Sequence, residues 1–334
     1  MTSQDNNVDV PRTQAGNACD VSIVIVNYKT REHLRRCLQA ISSENLLRLE
    51  TIIFDNGSGD GSVEMVRQDF PWAHLIESKT NIGFAKANNL AFRQAKCDFV
   101  LLLNPDVEVK DGAINLMHQY MKDNPDVAVA GCKVLYPDGR IQMSCGYAPT
   151  IASAFFGGEF INRLFKKIFP RRDFIGACGI TKDQLNCFHE VETLLGACVI
   201  LRKDILEKTG GFDENMFVYF EECELFHRIR QMGGRIMYIP NASVYHHAGA
   251  SISLNSIDKA VSYYQKSQEY YLRKVYGLKH IKLFRILVAT SALIKAGFLT
   301  IIYPFTPRHH CASMWKKILW HFYVFRYYTG RAES

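Results

Sequence analysis

Four short apolar runs mark the first hundred residues, and each ends on polar, turn-forming residues. They are VSIVIV (Val21–Val26), ETIIF (Glu50–Phe54), AHLIES (Ala73–Ser78) and DFVLLL (Asp98–Leu103). Unbroken apolar runs of this length, bounded by turn signals, predict buried strands of a parallel sheet. Between them the period changes to that of a helix. TREHLRRCLQAI places Leu34, Cys37, Leu38 and Ile41 on one face, a second helix from about Val63 to Asp69 stops before Pro71, and NIGFAKANNLAFRQA starts a third at Asn81. Strands alternating with helices predict a mostly parallel α/β sheet with right-handed crossovers.

The second half continues less evenly. GACVILRKDIL (Gly196–Leu206) is read as strand then helix. GGFDENMFVYFEECELFHRIRQMGG supplies a turn, an aromatic approach and a helix closed by Gly233 and Gly234, with Leu225, Ile229 and Met232 as its buried stripe. RIMYIPNASVYHHAGAS is a late strand ending on His246 and His247. The middle, Cys145 to Glu190, has no clear period. It contains the basic amphipathic stretch FINRLFKKIFPRR (Phe160–Arg172), read as a substrate lid or a membrane-facing element. The first 18 residues are polar and are expected to form a disordered arm, with no secretory signal.

Charge divides the chain. From Asp258 onward there are 13 Lys and Arg against 3 Asp and Glu. The whole chain carries +7, so the part before Asp258 is mildly acidic. The basic tail includes Leu283–Phe305, long enough to cross a bilayer but carrying Arg285 and Lys295. A lysine near the middle of a span is costly, so an interfacial or shallowly inserted segment is expected, flanked by WKKILWHFYVFRYY. The alternative is a helical hairpin packed on the main domain. Nucleic-acid binding is disfavoured because the basic residues are interleaved with long apolar runs. Ten scattered cysteines without a C-x-x-C pair argue against a zinc site or a disulfide framework, and for a reducing compartment. The first strand runs into NYKTREHL, so the dinucleotide fingerprint is missing. P-loop and nucleophile-elbow motifs are missing too.

Polar residues gather where the apolar runs end, and the carboxyl ends of strands are where open α/β sheets keep ligands. Asp55-Asn56-Gly57-Ser58 is either a plain turn or a seat for a nucleobase or ribose. Asn81 and Gly83 open a helix whose amino end could face a diphosphate, or could simply be capped, with Asn88 and Asn89 further in. Asn104-Pro105-Asp106 is a proline turn or an oxygen ligand for a hard divalent cation. Glu221, Glu222 and Glu224 either suit the dipole at a helix start or include a general base whose pKa its neighbours raise. Glu224 and Arg228 are spaced as a surface pair. His246 can ligate a metal or contact a phosphate.

Six stretches in order resemble glycosyltransferase family 2, in its rhamnosyltransferase-like branch: VSIVIVNYKT, FDNGSGDGS, NIGFAKANN, LLLNPDVEV, GGFDENMFVYFEECEL and VYHHAGAS. The resemblance spans roughly Val21 to Ser251. It implies a GT-A fold and inverting transfer from a nucleotide-sugar, with L-rhamnose from a dTDP donor as the leading candidate and a UDP-sugar as another. The expected acceptor is a cell-surface glycan, plausibly lipid-linked. The resemblance makes Asp55 the nucleoside-binding aspartate, with Asn27, Asn56, Asn81, Gly83, Asn89 and Asn104 around the donor. It makes Asp106 the ligand of Mg²⁺ or Mn²⁺, joined by His246. Glu222 falls on the catalytic base. The family's usual Glu-Asp-x-Asp-Leu reads Glu221-Glu222-Cys223-Glu224-Leu225 here, which makes Glu221 a rival for that role. The implied organisation is a GT-A domain over residues 19–257, divided near 110 into donor and acceptor halves, and a helical membrane-associating extension over 258–334. The implied location is the cytoplasmic face of the inner membrane. A sugar-nucleotide hydrolase or a nucleotidyltransferase on a related fold is the alternative activity.

Overall fold

The computed structural model describes residues 19–151, 153, 184–247, 257–277, 279, 281–306 and 308–330. The N-terminal arm and the Phe160–Arg172 stretch lie outside these. The expected strands form as β1 (Val21–Asn27), β2 (Leu49–Asp55), β3 (His74–Glu77) and β4 (Phe99–Leu103), with α1 (Arg31–Ser42), α2 (Ser62–Asp69) and α3 (Phe84–Phe92) between them. β1 pairs parallel with both β2 and β4, and β2 pairs parallel with β3. β1 and β4 are buried at every residue, as a run apolar throughout requires.

After β4 come β5 (Val107–Val109), α4 (Ala113–Asp123), β6 (Val127–Leu135), β7 (Ile141–Gln142), β8 (Cys145–Gly146), β9 (His189–Glu190), β10 (Thr193–Leu194) and β11 (Cys198–Arg202). α5 (Lys203–Thr209), α6 (Glu221–Gln231) and β12 (Arg235–His246) follow. The main sheet has the order β3-β2-β1-β4-β11-β6-β12-β5. Its first four strands are parallel. β11 runs antiparallel between β4 and β6, and β5 antiparallel beside β12, so the sheet is mixed. One face is covered by α1, α2 and α4, through Leu34, Met65 and Met117. The other is covered by α3, α5 and α6, through Ala91, Leu206 and Leu225. The α1 stripe is buried as its spacing implies. Met232 departs from the expectation for α6: it is 53% exposed, because the helix ends at Gln231 and Met232 already belongs to the closing turn.

Three long helices complete the chain: α7 (Ile257–Tyr276), α8 (Ile281–Ile302) and α9 (Arg308–Thr329). Their inner faces, including Tyr271, Phe284, Val288 and Val324, enclose Met216 and Phe220 from the loop before α6. The tail is therefore joined to the sheet domain through a shared core. α8 meets the length and hydropathy of a membrane span. Two of its polar residues face inward, however: Ser291 and Lys295 are buried, while Ile286, Ile294 and Ile301 are more than 60% exposed. Arg285 pairs with Glu269 of α7.

Cys19 and Cys97 form a disulfide, with Cα atoms 5.3 Å apart. The scattered cysteines gave no sign of it. The two are 78 residues apart and meet only because β1 and β4 lie side by side.

Candidate active site

The Asn104-Pro105-Asp106 turn ends β4, and the short strand β5 begins one residue later. β5 pairs with the end of β12 in a register that sets Val107 opposite His246. This brings Asp106 Oδ1 to 3.3 Å from His246 Nε2, and the His247 backbone N–H donates to the Asp106 carbonyl at 2.9 Å. Gln142 of β7 fixes the imidazole: its amide oxygen accepts from His246 Nδ1–H at 2.9 Å. With its proton on Nδ1, a neutral His246 presents the Nε2 lone pair to a carboxylate. Two acceptors at that distance need a proton or a cation between them, and a divalent ion bound at about 2.0–2.2 Å by each would hold them at this separation. Both side chains are nearly buried. With a proton and not a cation between them, burial pushes the Asp106 carboxyl up, but the His246 hydrogen bond and charge outweigh it and hold the group below the usual carboxylate range. A second imidazole, His247, contacts Glu108 at 2.8 Å and stacks near the His33 ring at 5.3 Å.

The glutamates expected to include the base are set at the start of α6. Tyr219 and Phe220, just before it, both have left-handed backbone angles, with φ 71° and 67°. For residues with a Cβ this costs roughly 1–2 kcal/mol each. Contacts from α7 hold the turn: Ser267 Oγ donates to the Val218 carbonyl at 2.8 Å, and the Phe220 ring packs on Tyr264 and Tyr271. The three glutamates then diverge. Glu224 is buried and bound by Arg228, through Nε at 2.8 Å and Nη2 at 2.6 Å, and by Lys274 of α7 at 2.8 Å. The expected Glu224–Arg228 pair forms, but inside the protein and not on its surface. Glu221 is 2% exposed and its Oε2 has no hydrogen-bond partner among the described residues. Burial, and then the neighbouring Glu222 charge, push its carboxyl far above the usual range. Glu222 is half-buried against Gly196, where a Cβ would collide with its carboxylate, and it accepts the Gly196 N–H. Burial raises its pKa and the backbone N–H groups oppose that rise.

One backbone bond joins the two ends. The Asn104 N–H donates to the Ala197 carbonyl at 2.9 Å. The strand residue next to the Glu222 contact thus holds the turn that carries Asp106. Glu221 and Glu222 open on a cavity of about 560 Å³, roofed on its far side by Gln268 of α7, Ser291 and Lys295 of α8, and Trp320 and His321 of α9. This contribution of the tail has no local motif behind it.

The residues expected around the donor begin at the ends of β1 and β2. Asn27 Nδ2 donates to Asp55 Oδ1 at 2.8 Å, and the Ser58 N–H donates to Asp55 Oδ2 at 3.0 Å. Asn56 accepts the Ile82 N–H and donates to Asn81 Oδ1, which also caps the Gly83 N–H. The helix end expected to face a diphosphate has another role. The Phe84 N–H is taken by the Phe217 carbonyl, and Gly83, at φ 92°, meets the Phe217 ring so closely that no Cβ fits. Asn89 likewise points at protein. Its amide bridges the Phe212 N–H and carbonyl and Glu214, so it anchors the loop before α6. Sequence reasoning missed Gln142, Glu108, His33 and Lys295. Glu108 sat inside the LLLNPDVEV stretch and His33 on the helix after the first strand, while Gln142 and Lys295 had no motif around them.

A mixed α/β sheet with helices on both faces and polar residues gathered at the strand ends is the arrangement of a glycosyltransferase of GT-A type. The chain belongs to glycosyl transferase family 2, whose model matches residues 22–210. It is similar to the N-acetylglucosaminyl-diphospho-decaprenol L-rhamnosyltransferase of Mycobacterium tuberculosis, 27% identical over 241 residues that cover 69% of this chain and 76% of that one. It also resembles the rhamnosyltransferase WbbL of Escherichia coli, 22% identical over 264 residues, covering 76% and 93%. Among solved structures, the mannosyltransferase PcManGT of Pyrobaculum calidifontis, in complex with GDP-Man and Mn²⁺, superposes with a TM-score of 0.55 at 16% identity, covering 93% and 86% of the two chains.

Proposed function

We propose that the protein is an inverting, metal-dependent transferase that moves a deoxyhexose, L-rhamnose from dTDP-rhamnose in the leading case, to a hydroxyl of a lipid-linked glycan. The observation that carries this reading is the joining of Glu222 to the Asp106–His246 pair through Gly196 and Ala197. Relatives named as rhamnosyltransferases, one acting on a diphospho-decaprenol acceptor, support the choice of sugar and acceptor.

Asp106 and His246 would hold Mg²⁺ or Mn²⁺, and the ion supplies neutralisation of the charge that builds on the departing diphosphate. Asp55, braced by Asn27 and Ser58, presents its remaining lone pairs to the nucleoside. Glu222 accepts the proton of the acceptor hydroxyl as that oxygen bonds to the anomeric carbon. The bond from that carbon to the diphosphate breaks on the opposite face, and its electron pair leaves with the nucleoside diphosphate. Glu221 lies deeper than Glu222 and its carboxyl is pushed further up, so Glu222 is the base in this scheme and Glu221 its rival. The exposed Ile286, Ile294 and Ile301 face of α8 lies against the lipid surface that presents the acceptor.

The test is transfer from dTDP-rhamnose by wild type, Asp106→Ala and Glu222→Gln at saturating Mg²⁺ or Mn²⁺. Both variants should lose roughly 10²–10⁴-fold in turnover, and Glu222→Gln should still bind the nucleotide. Full turnover by Asp106→Ala would remove the metal role. Release of free sugar without any acceptor requirement would turn the reading towards a hydrolase.

A further inference from the structure

The Asp106–His246 pair stands on a weak piece of the sheet. β5 is three residues long and lies at the sheet edge, with β12 as its neighbour and no strand beyond it among the described residues. His246 sits on the last rung of that short ladder, opposite Val107, and Asp106 lies one residue outside it. Such strand ends open locally at little cost in free energy. A cation site does not tolerate that, because its ligands must keep their places to within about 0.5 Å.

Two bonds close the open end. The His247 N–H donates to the Asp106 carbonyl at 2.9 Å. The His247 ring then meets Glu108, Nε2 to Oε1, at 2.8 Å. A carboxylate only accepts, so Nε2 carries the proton and donates it. Glu108 follows Asp106 by two residues. The two bonds and the backbone between them therefore form a closed loop around the rung that carries His246. α1 backs this loop. The Cys37 thiol donates to the Asn104 carbonyl at 3.8 Å, Arg36 Nη1 lies 3.9 Å from Glu108 Oε1, and the His33 ring lies beside that of His247. The Glu108 and His247 side chains are both partly exposed. A pair of that kind adds little to global stability, so its effect is local.

We propose that Glu108 and His247 are positioning residues for the divalent cation: their hydrogen bond locks the end of β12 onto β5 and so sets the gap between Asp106 and His246. The inference rests on the metal reading above and extends it to two residues outside the ligand pair.

The experiment is a Mn²⁺ titration of the full-length protein in detergent, with free Mn²⁺ read by electron paramagnetic resonance and the melting temperature measured without metal. Glu108→Ala should weaken Mn²⁺ binding by roughly 10–100-fold and melt near wild type. Glu108→Gln keeps an oxygen that accepts the His247 proton, and should bind Mn²⁺ nearly as wild type does. His247→Phe removes the same bond from the other side and leaves the backbone N–H in place, so it should lose as much as Glu108→Ala. The double variant should lose no more than either single one, because both break one bond. Where Glu108→Ala melts low, Glu108→Gln and His247→Phe carry the test. Glu108→Gln binding as weakly as Glu108→Ala would make Glu108 a ligand or a bare attracting charge, and overturn the proposal. Losses that add in the double variant would also overturn it, as would wild-type affinity in His247→Phe. A wild type that binds no Mn²⁺ would bring down the metal reading itself, and this proposal with it.

Discussion

The glutamates at the start of α6 can be separated by one pair of substitutions. Glu224→Gln keeps the shape of the side chain but removes a charge that meets Arg228 twice and Lys274 once, all within 2.8 Å. Deleting one member of a buried ion pair costs roughly 3–5 kcal/mol. The lower end applies here, because Arg228 keeps the Thr209 and Gly211 carbonyls and Lys274 keeps Asp213. For a chain of this size about 3 kcal/mol lowers the melting temperature by about 4 °C. Glu222→Gln, on a half-buried side chain held by one backbone N–H, should melt near wild type and lose most of its turnover. Differential scanning fluorimetry at one scan rate, beside a turnover assay well below the melting range, reads both quantities. A Glu224→Gln protein that melts with wild type but fails to turn over would show that the carboxylates have been assigned to the wrong tasks.

Three further outcomes follow from the same geometry. Glu221→Gln keeps the shape of a carboxyl that burial pushes far above the usual range, and with Glu222 as the base activity should persist. The wild-type carboxyl costs stability as pH rises above its unfolded value near 4.5, so urea unfolding should find the variant more stable at pH 8 than at pH 5, relative to wild type. Asp213 behaves oppositely. Burial raises its carboxyl, but hydrogen bonds from Lys274, Asn215 and Tyr270 outweigh that and bring it to about 2. Its stabilising contribution is complete above its unfolded pKa near 4 and fades as pH falls towards 2, so Asp213→Asn should lose the part of the acid-denaturation slope in that window. Replacing Ile286, Ile294 and Ile301 by Gln should release the protein from anionic vesicles in flotation while its melting temperature holds, since these side chains pack on nothing inside; undiminished flotation would refute the lipid-facing role.

Local pattern made much of this architecture legible. The parallel strands and the α1 stripe follow directly from periodicity, because burial on both faces leaves no alternative composition for β1 and β4. The likeness of Asp106 and His246 to a metal pair could be read from motif order, although their meeting depends on the register of β5 against β12, which no local pattern encodes. Asn81, Gly83 and Asn89 showed how the reading overreached. Polar residues at a helix start suit phosphate and protein carbonyls equally well, and here the loop from Phe212 to Phe217 claims them. Lys295 looked like a flaw in a membrane span because the cavity it lines is closed by helices well separated along the chain. The Cys19–Cys97 bridge was hidden for the same reason.

The left-handed backbone at Tyr219 and Phe220 has a practical consequence. That hinge is kept cocked by side chains of α7, on the far side of position 257, where the chain could otherwise be cut and spliced. A chimera joining residues 1–256 to some other protein's anchor would reach the right compartment yet let the hinge unwind, swinging Glu222 off Gly196. Exchanging tails between such enzymes should therefore succeed only when α7 travels with the catalytic half.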